Sequence, residues 1–159
     1  MNDELLKKAA KVLTPVGVYL RSSKVYTHPD FHPQHNKGEL QVQYKAKHLS
    51  EYKLLCAEDE GQSFITFQYE TGVRLVDETV DEKDAAYVQA EIIAVFTSEY
   101  QLKDSDAFDE AAMSEFLNCN VRFHVWPFWR EYLQSTCTRM GLPVIPLPHH
   151  FRPQEAQKQ

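Results

Sequence analysis

The sequence predicts an α+β fold: a four-stranded antiparallel sheet with two C-terminal helices on one face and a short extra helix at the N-terminus. Three observations carry that prediction. Apolar residues recur at period two in long segments up to about residue 102. After Asp109 the spacing changes to steps of three and four. Strands and helices do not alternate, so a parallel sheet is not indicated and the helices belong to one face.

The elements follow in order. Leu5, Leu6, Ala9, Ala10 and Leu13 have helical spacing, and Pro15 stops the pattern, so residues 3–13 read as a helix of about three turns. A helix that short needs a surface to pack on. Val16 to Tyr26 reads as a strand with Val16, Val18 and Leu20 on one face. Thr27 to Gly38 holds two prolines and an Asn-Lys-Gly end and reads as a loop. Leu40, Val42, Tyr44 and Ala46 then alternate cleanly with Gln41, Gln43, Lys45 and Lys47, and Tyr52 to Ala57 continues that strand after a bend. Ser63 to Val76 is the third strand, with Ile65, Phe67 and Tyr69 opposed to Phe64, Thr66 and Gln68, and Gly72 is expected to mark a bulge. Asp77 to Asp84 is an acidic turn, and Ala86 to Leu102 is the fourth strand. Asp109 to Asn118 reads as a short helix. Pro127 is placed at the first turn of a second helix, where its missing N–H costs nothing. Trp129, Leu133, Thr136 and Met140 mark that helix's face; Gly141 is its C′ residue, and the prolines after it force an extended segment. The expected organisation is an N-terminal extension over residues 1–15, one domain over 16–151 and a polar tail over 152–159.

Bulk composition excludes several function classes. The chain has 159 residues, enough for one domain with its own core. A formal charge of −6 argues against a nucleic-acid partner, which needs clustered Lys and Arg. No apolar run approaches the roughly 20 residues of a membrane-spanning helix. Cys56, Cys119 and Cys137 are odd in number and form no Cys-x-x-Cys pair, which points to a reducing cytoplasm rather than to a disulfide framework or a zinc site. Nineteen aromatic residues (nine Phe, eight Tyr, two Trp) suit a core and equally a surface that binds apolar segments.

Catalytic motifs are missing from the sequence. There is no Gly-x-Ser-x-Gly elbow, no P-loop and no glycine-rich dinucleotide turn, so the expectation is a protein without enzymatic activity or cofactor. His28, His32 and His35 have spacing a metal could use, but they lie in a Pro-rich loop with no fourth ligand nearby, and His149 and His150 read as ordinary surface; no metal site is expected. Trp126, Phe128, Trp129 and Tyr132, with Leu133, form an apolar stripe on the second helix that can be core, groove lining or subunit interface.

The run from Phe123 through Val125-Trp126-Pro127-Phe128-Trp129-Arg130-Glu131, followed by Arg139, Leu142-Pro143, Leu147 and Phe151, resembles the SecB export-chaperone family. Val18-Tyr19-Leu20-Arg21, Leu40 to Tyr44, and Ala90-Glu91-Ile92 are similar to that family's first, second and fourth strands. The resemblance implies a homotetramer, a dimer of dimers, that holds unfolded polypeptide in apolar grooves without ATP. By position it implies Leu40, Val42, Tyr44, Phe128 and Phe151 as groove residues, Trp126, Trp129, Tyr132 and Leu133 as groove or interface, and Glu91 as a partner-docking position. One departure stands out: Arg21-Ser22-Ser23-Lys24-Val25-Tyr26 carries no acid where the export chaperones dock the translocation ATPase. That favours a dedicated client, such as the antitoxin of a toxin–antitoxin module, over general delivery of precursors for export. A different class of reading is an adaptor or small-ligand-binding domain with one folded partner.

Overall fold

The computed structural model describes residues 2–49, 52–57, 62–104 and 108–147. Helix α1 (Asp3–Val12) opens the chain. It is followed by strands β1 (Leu13–Thr27), β2 (Gln41–His48), β3 (Lys53–Ala57), β4 (Gln62–Val76) and β5 (Val88–Leu102), then helices α2 (Glu110–Phe116) and α3 (Arg122–Met140). All strand pairs are antiparallel, in the order β1-β5-β4-β2, with β3 also on β4. β2 and β3 share one edge of β4: β2 pairs along Tyr69–Val76 and β3 along Gln62–Thr66. The second predicted strand is thus broken in two, and the sheet has five strands.

The alternation in β5 divides the sheet into two faces. Ala90, Ile92, Ala94, Phe96, Ser98, Tyr100 and Leu102 are buried, and the intervening residues are half-buried. Ile65, Phe67 and Tyr69 of β4 lie on the same buried face, as their period predicts. The helices cover that face. Val125, Trp129, Leu133, Thr136 and Cys137 form the buried side of α3. Burying a side chain the size of leucine contributes roughly 1.5–3 kcal/mol, so this helix–sheet contact is the main source of stability. α1 is held to α2 by the ion pair between Lys8 and Asp109 and by the Asn2 amide bonding Glu115 Oε1. Asp109 is also the N-cap of α2, accepting from the Ala112 amide at 3.0 Å. Lys8 and the Ala112 and Ala111 amides stabilise the ionised form of Asp109 and draw its carboxyl below the usual range.

Four expectations need correction. Pro127 does not begin a helix. α2 continues through a π turn (Leu117–Val121) into α3, and Pro127 lies inside α3. Pro127 has no N–H to offer the Phe123 carbonyl one turn back, and Phe123 is an exposed residue, so the proline sits on the outer side of the helix. Gly72 is not a bulge: it sits in register between Lys45 and Ile93. It is required by close approach, since a Cβ there would lie 3.1 Å from the Ile92 carbonyl oxygen and 3.0 Å from Lys45 Cε. Register shifts fall instead at Leu75/Val76, where β4 meets β5, and in β1, between Pro15 and Gly17 and between Leu20 and Ser22. Those in β1 interrupt the simple alternation expected there, so Val16 leaves the face shared by Val18 and Leu20. The first strand does not wait for Val16 either; α1 ends at Val12 and the chain enters β1 directly at Leu13, so Pro15 lies in the strand, on a sheet edge where a missing N–H is tolerated.

Candidate client-binding groove

β1 and β2 are at opposite edges of the sheet, so the loop over residues 28–40 must cross between them. Phe31 anchors this crossover in the core, and Leu40 enters β2 partly buried against the same core. From Leu40 the period-two pattern sends Val42, Tyr44, Ala46 and His48 to the helix-bearing face, opposite Leu75, Val73, Thr71 and Tyr69. β2 is an edge strand, so this apolar row is half-covered rather than sealed.

The segment after α3 closes the row. Gly141 adopts a left-handed conformation (φ 68°) and ends the helix, as a C′ glycine does. The Leu142 amide returns to the Cys137 carbonyl at 2.9 Å, and Leu142 and Ile145 are buried. The Tyr44 hydroxyl, on a side chain 38% exposed, then donates to the Pro146 carbonyl at 3.0 Å. Leu147, Met140 and Trp126 pack partly buried against the same core. The result is a cleft between β2, the C-terminal segment and one flank of α3.

Only part of the predicted set meets there. Leu40, Val42 and Tyr44 line the cleft. Phe151, like His149 and His150, lies outside the described residues. Phe128 is 46% exposed but two residues from Trp126, about 200° around the helix at 3.6 residues per turn, and so on the opposite flank. Trp126 shares its flank with Cys137, whose backbone and thiol bond the C-terminal segment. Trp129 and Leu133, 1% and 0% exposed, are core residues of the single chain, and Tyr132 stacks on Trp129 and meets Phe96 edge-on. Sequence reasoning missed Ala46, Met140 and Leu147; the period of β2 and the helical spacing from Trp129 carried the signal for the first two.

Two histidines are half-buried against aromatic rings of the core. His48 packs edge-on against Tyr69, with ring centroids 4.9 Å apart, and its Nδ1 is buried without a partner among the described residues. Burial, and then the Arg122 guanidinium, push its pKa down. His124 Nδ1 lies 2.6 Å from the Tyr100 hydroxyl, which accepts from Ser98 Oγ at 2.9 Å, so Nδ1 is the acceptor. Burial lowers the His124 pKa and raises that of Tyr100 to about 12. Both imidazoles therefore fold in the neutral form. Stability is full above the ordinary histidine value near 6.5 and falls as pH drops from there through the depressed folded values. Urea midpoints measured from pH 8 to pH 5 are expected to be flat above 6.5 and to decline below it, less steeply in His124→Gln; a flat profile to pH 5 contradicts the burial of both rings.

Glu91 does not project as a free carboxylate. It lies on the other face of the sheet and pairs with Lys24 of β1 at 3.3 Å. His28 Nδ1 accepts the Asp30 amide within the crossover, and among the described residues no three His, Cys, Asp or Glu side chains converge as a metal site. Among them too, no helix is long and apolar enough to cross a membrane.

A crossover loop and an antiparallel sheet with helices on one face define an α+β protein. No protein-family model matches this chain, and no curated protein matches it. Among solved structures, the chain is similar to the Mycobacterium tuberculosis SecB-like chaperone in complex with a ChAD peptide from the HigA1 antitoxin. The TM-score is 0.68 at 16% identity, over 95% of this chain and 99% of that one. The fold is therefore SecB-like.

Proposed function

We propose that this protein is an ATP-independent holdase that keeps an antitoxin client unfolded or partly folded in the β2 cleft. The observation that carries this reading is the row Leu40, Val42 and Tyr44: apolar, half-covered, and bordered by a segment that the Tyr44 hydroxyl bonds at Pro146. An unfolded client presents apolar side chains at no fixed spacing, which favours a cleft rich in such contacts and poor in fixed polar ones. The similar mycobacterial chaperone was solved with an antitoxin peptide, and that supports the client class. The Lys24–Glu91 pair supports weak docking on the export ATPase, because the carboxylate that would meet a basic peptide is already matched. The exposed β1 edge, with Val16, Tyr19, Leu20 and Val25 open to solvent, supports a homotetramer, since an uncovered apolar edge strand invites pairing.

The test is size-exclusion with light scattering, on the protein alone and with partners. The expected result is a mass of four chains that retains several unfolded polypeptides and an antitoxin encoded beside it, with no salt-sensitive binding of the export ATPase tail peptide. A monomer of 18.5 kDa that ignores every unfolded chain overturns the proposal.

A further inference from the structure

The outer face of the sheet, away from the cleft, carries a feature that client binding does not use. Gly72 lies in register between Lys45 on β2 and Ile93 on β5. Around it lies a hollow of about 250 Å³ bordered by Gln43, Lys45, Arg74 and Glu91. Its floor at position 72 is bare backbone that Lys45 approaches closely: a Cβ there would meet Lys45 Cε at 3.0 Å and Ile93 Cγ1 at 3.3 Å.

Arg74 on the rim is held but not neutralised. Its Nε donates to Gln43 Oε1 at 2.7 Å. Gln43 Nε2 in turn donates to the Tyr87 hydroxyl at 3.2 Å, and the guanidinium carbon stands 5.9 Å from the centroid of the Tyr87 ring. Three side chains thus fix one another in a closed triangle. Gln43 is a neutral acceptor, so the guanidinium keeps its full charge. Glu91, its cross-strand neighbour, turns instead to Lys24. Lys45 and Lys47 share one carboxylate, Glu70. Around the hollow, cations therefore outnumber carboxylates on a chain whose net charge is −6.

We propose that this hollow is a docking site for a carboxylate side chain of an acidic partner segment, received by the outward nitrogens of Arg74 with Lys45 beside them. A guanidinium with its Nε engaged still presents two terminal nitrogens, the fork that matches a carboxylate. Orientation by Gln43 and Tyr87 lowers the ordering cost on binding. Glu70 and Glu91 stand on the same rim and repel further negative charge, so a monoanion suits the hollow better than a phosphate dianion. The overall negative charge disfavours a nucleic-acid backbone. The site is separated from the cleft by the thickness of the sheet, so both can be occupied together.

The experiment uses fluorescence anisotropy on the full chain with a short labelled peptide of Gly, Ser and Asp, which has no apolar residue for the cleft. The Asn version of the same peptide is the control. The acidic peptide is expected to bind at low salt and to be released as salt rises, while the Asn peptide does not bind. Arg74→Gln is expected to weaken binding about tenfold, and Arg74→Lys to restore only part of it, because lysine has no Nε–H to engage Gln43. Melting temperature and retention of unfolded client are read in parallel and should not move with Arg74→Gln. Equal binding of both peptides, undiminished affinity in Arg74→Gln, or inorganic phosphate displacing the peptide at lower concentration than free aspartate would each overturn the proposal. Because client retention is scored separately, failure here leaves the holdase reading standing, and the reverse also holds.

Discussion

Trp129→Ala is expected to lower the unfolding free energy by about 3–5 kcal/mol, the range for removing a buried tryptophan from a packed core. Trp129 is 1% exposed, lies on the buried side of α3 with Val125 and Leu133, and stacks on Tyr132 with ring centroids 6.3 Å apart. Truncation leaves a cavity between α3 and the sheet that neither rigid element can collapse to fill. Against a typical total of about 5–15 kcal/mol, that loss approaches unfolding. The measurement is urea denaturation at fixed protein concentration, since self-association contributes to apparent stability. Phe128→Ala, on an exposed side chain of the same helix, should cost about 1 kcal/mol or less. If the two variants exchanged places, with Trp129→Ala mild and the oligomer dissociating, Trp129 would belong to an interface and not to the core.

Val42→Asp is expected to abolish client retention or weaken it at least tenfold. Val42 sits in the middle of the half-covered row on β2, opposite Leu75. A carboxylate there must be stripped of water when an apolar client segment arrives, at a cost of several kcal/mol. Every 1.4 kcal/mol is a factor of ten in affinity. Val42 also touches the core, so the substitution can disturb folding. Tyr44→Asp provides the independent reading, because Tyr44 is an exposed residue on the same row. The readouts are holdase activity against an aggregating protein and far-ultraviolet circular dichroism. Unchanged activity in both variants, with native spectra, removes the cleft as the binding surface.

Much of the fold was legible before any coordinates. The split of Ile65, Phe67 and Tyr69 from Phe64 and Gln68 in β4 required only a period of two, as did the two rows of β2. Gly141 was recognisable as a helix terminator because few other residues accept its backbone conformation and because prolines follow it. The change of period after Asp109 marked where the sheet ends and the helices begin. For the cleft, the same alternation put Leu40, Val42 and Tyr44 on one face, and the family resemblance, not the period, marked them as groove residues.

Other features are not encoded locally. The bulges of β1 depend on how it is drawn across β5, and they decide that Ser22, Lys24 and Tyr26 share the outer face with Glu91. The π turn that joins α2 to α3 puts Pro127 inside a helix, against a rule that treats proline as a beginning. Which flank of α3 meets the cleft follows from the path of the C-terminal segment from Cys137 to Tyr44, so Trp126 faces it and Phe128 does not. The Tyr87–Gln43–Arg74 triangle gathers residues from three separate parts of the chain, and Gly72 matters through space rather than through its own turn. What the sequence determined by itself was therefore the type of most elements and the buried sides of β2, β4, β5 and α3, because periodicity is a property of consecutive residues. Register, flank and charge pairing were decided only by the tertiary structure, because each depends on residues far apart in the chain that packing alone brings together.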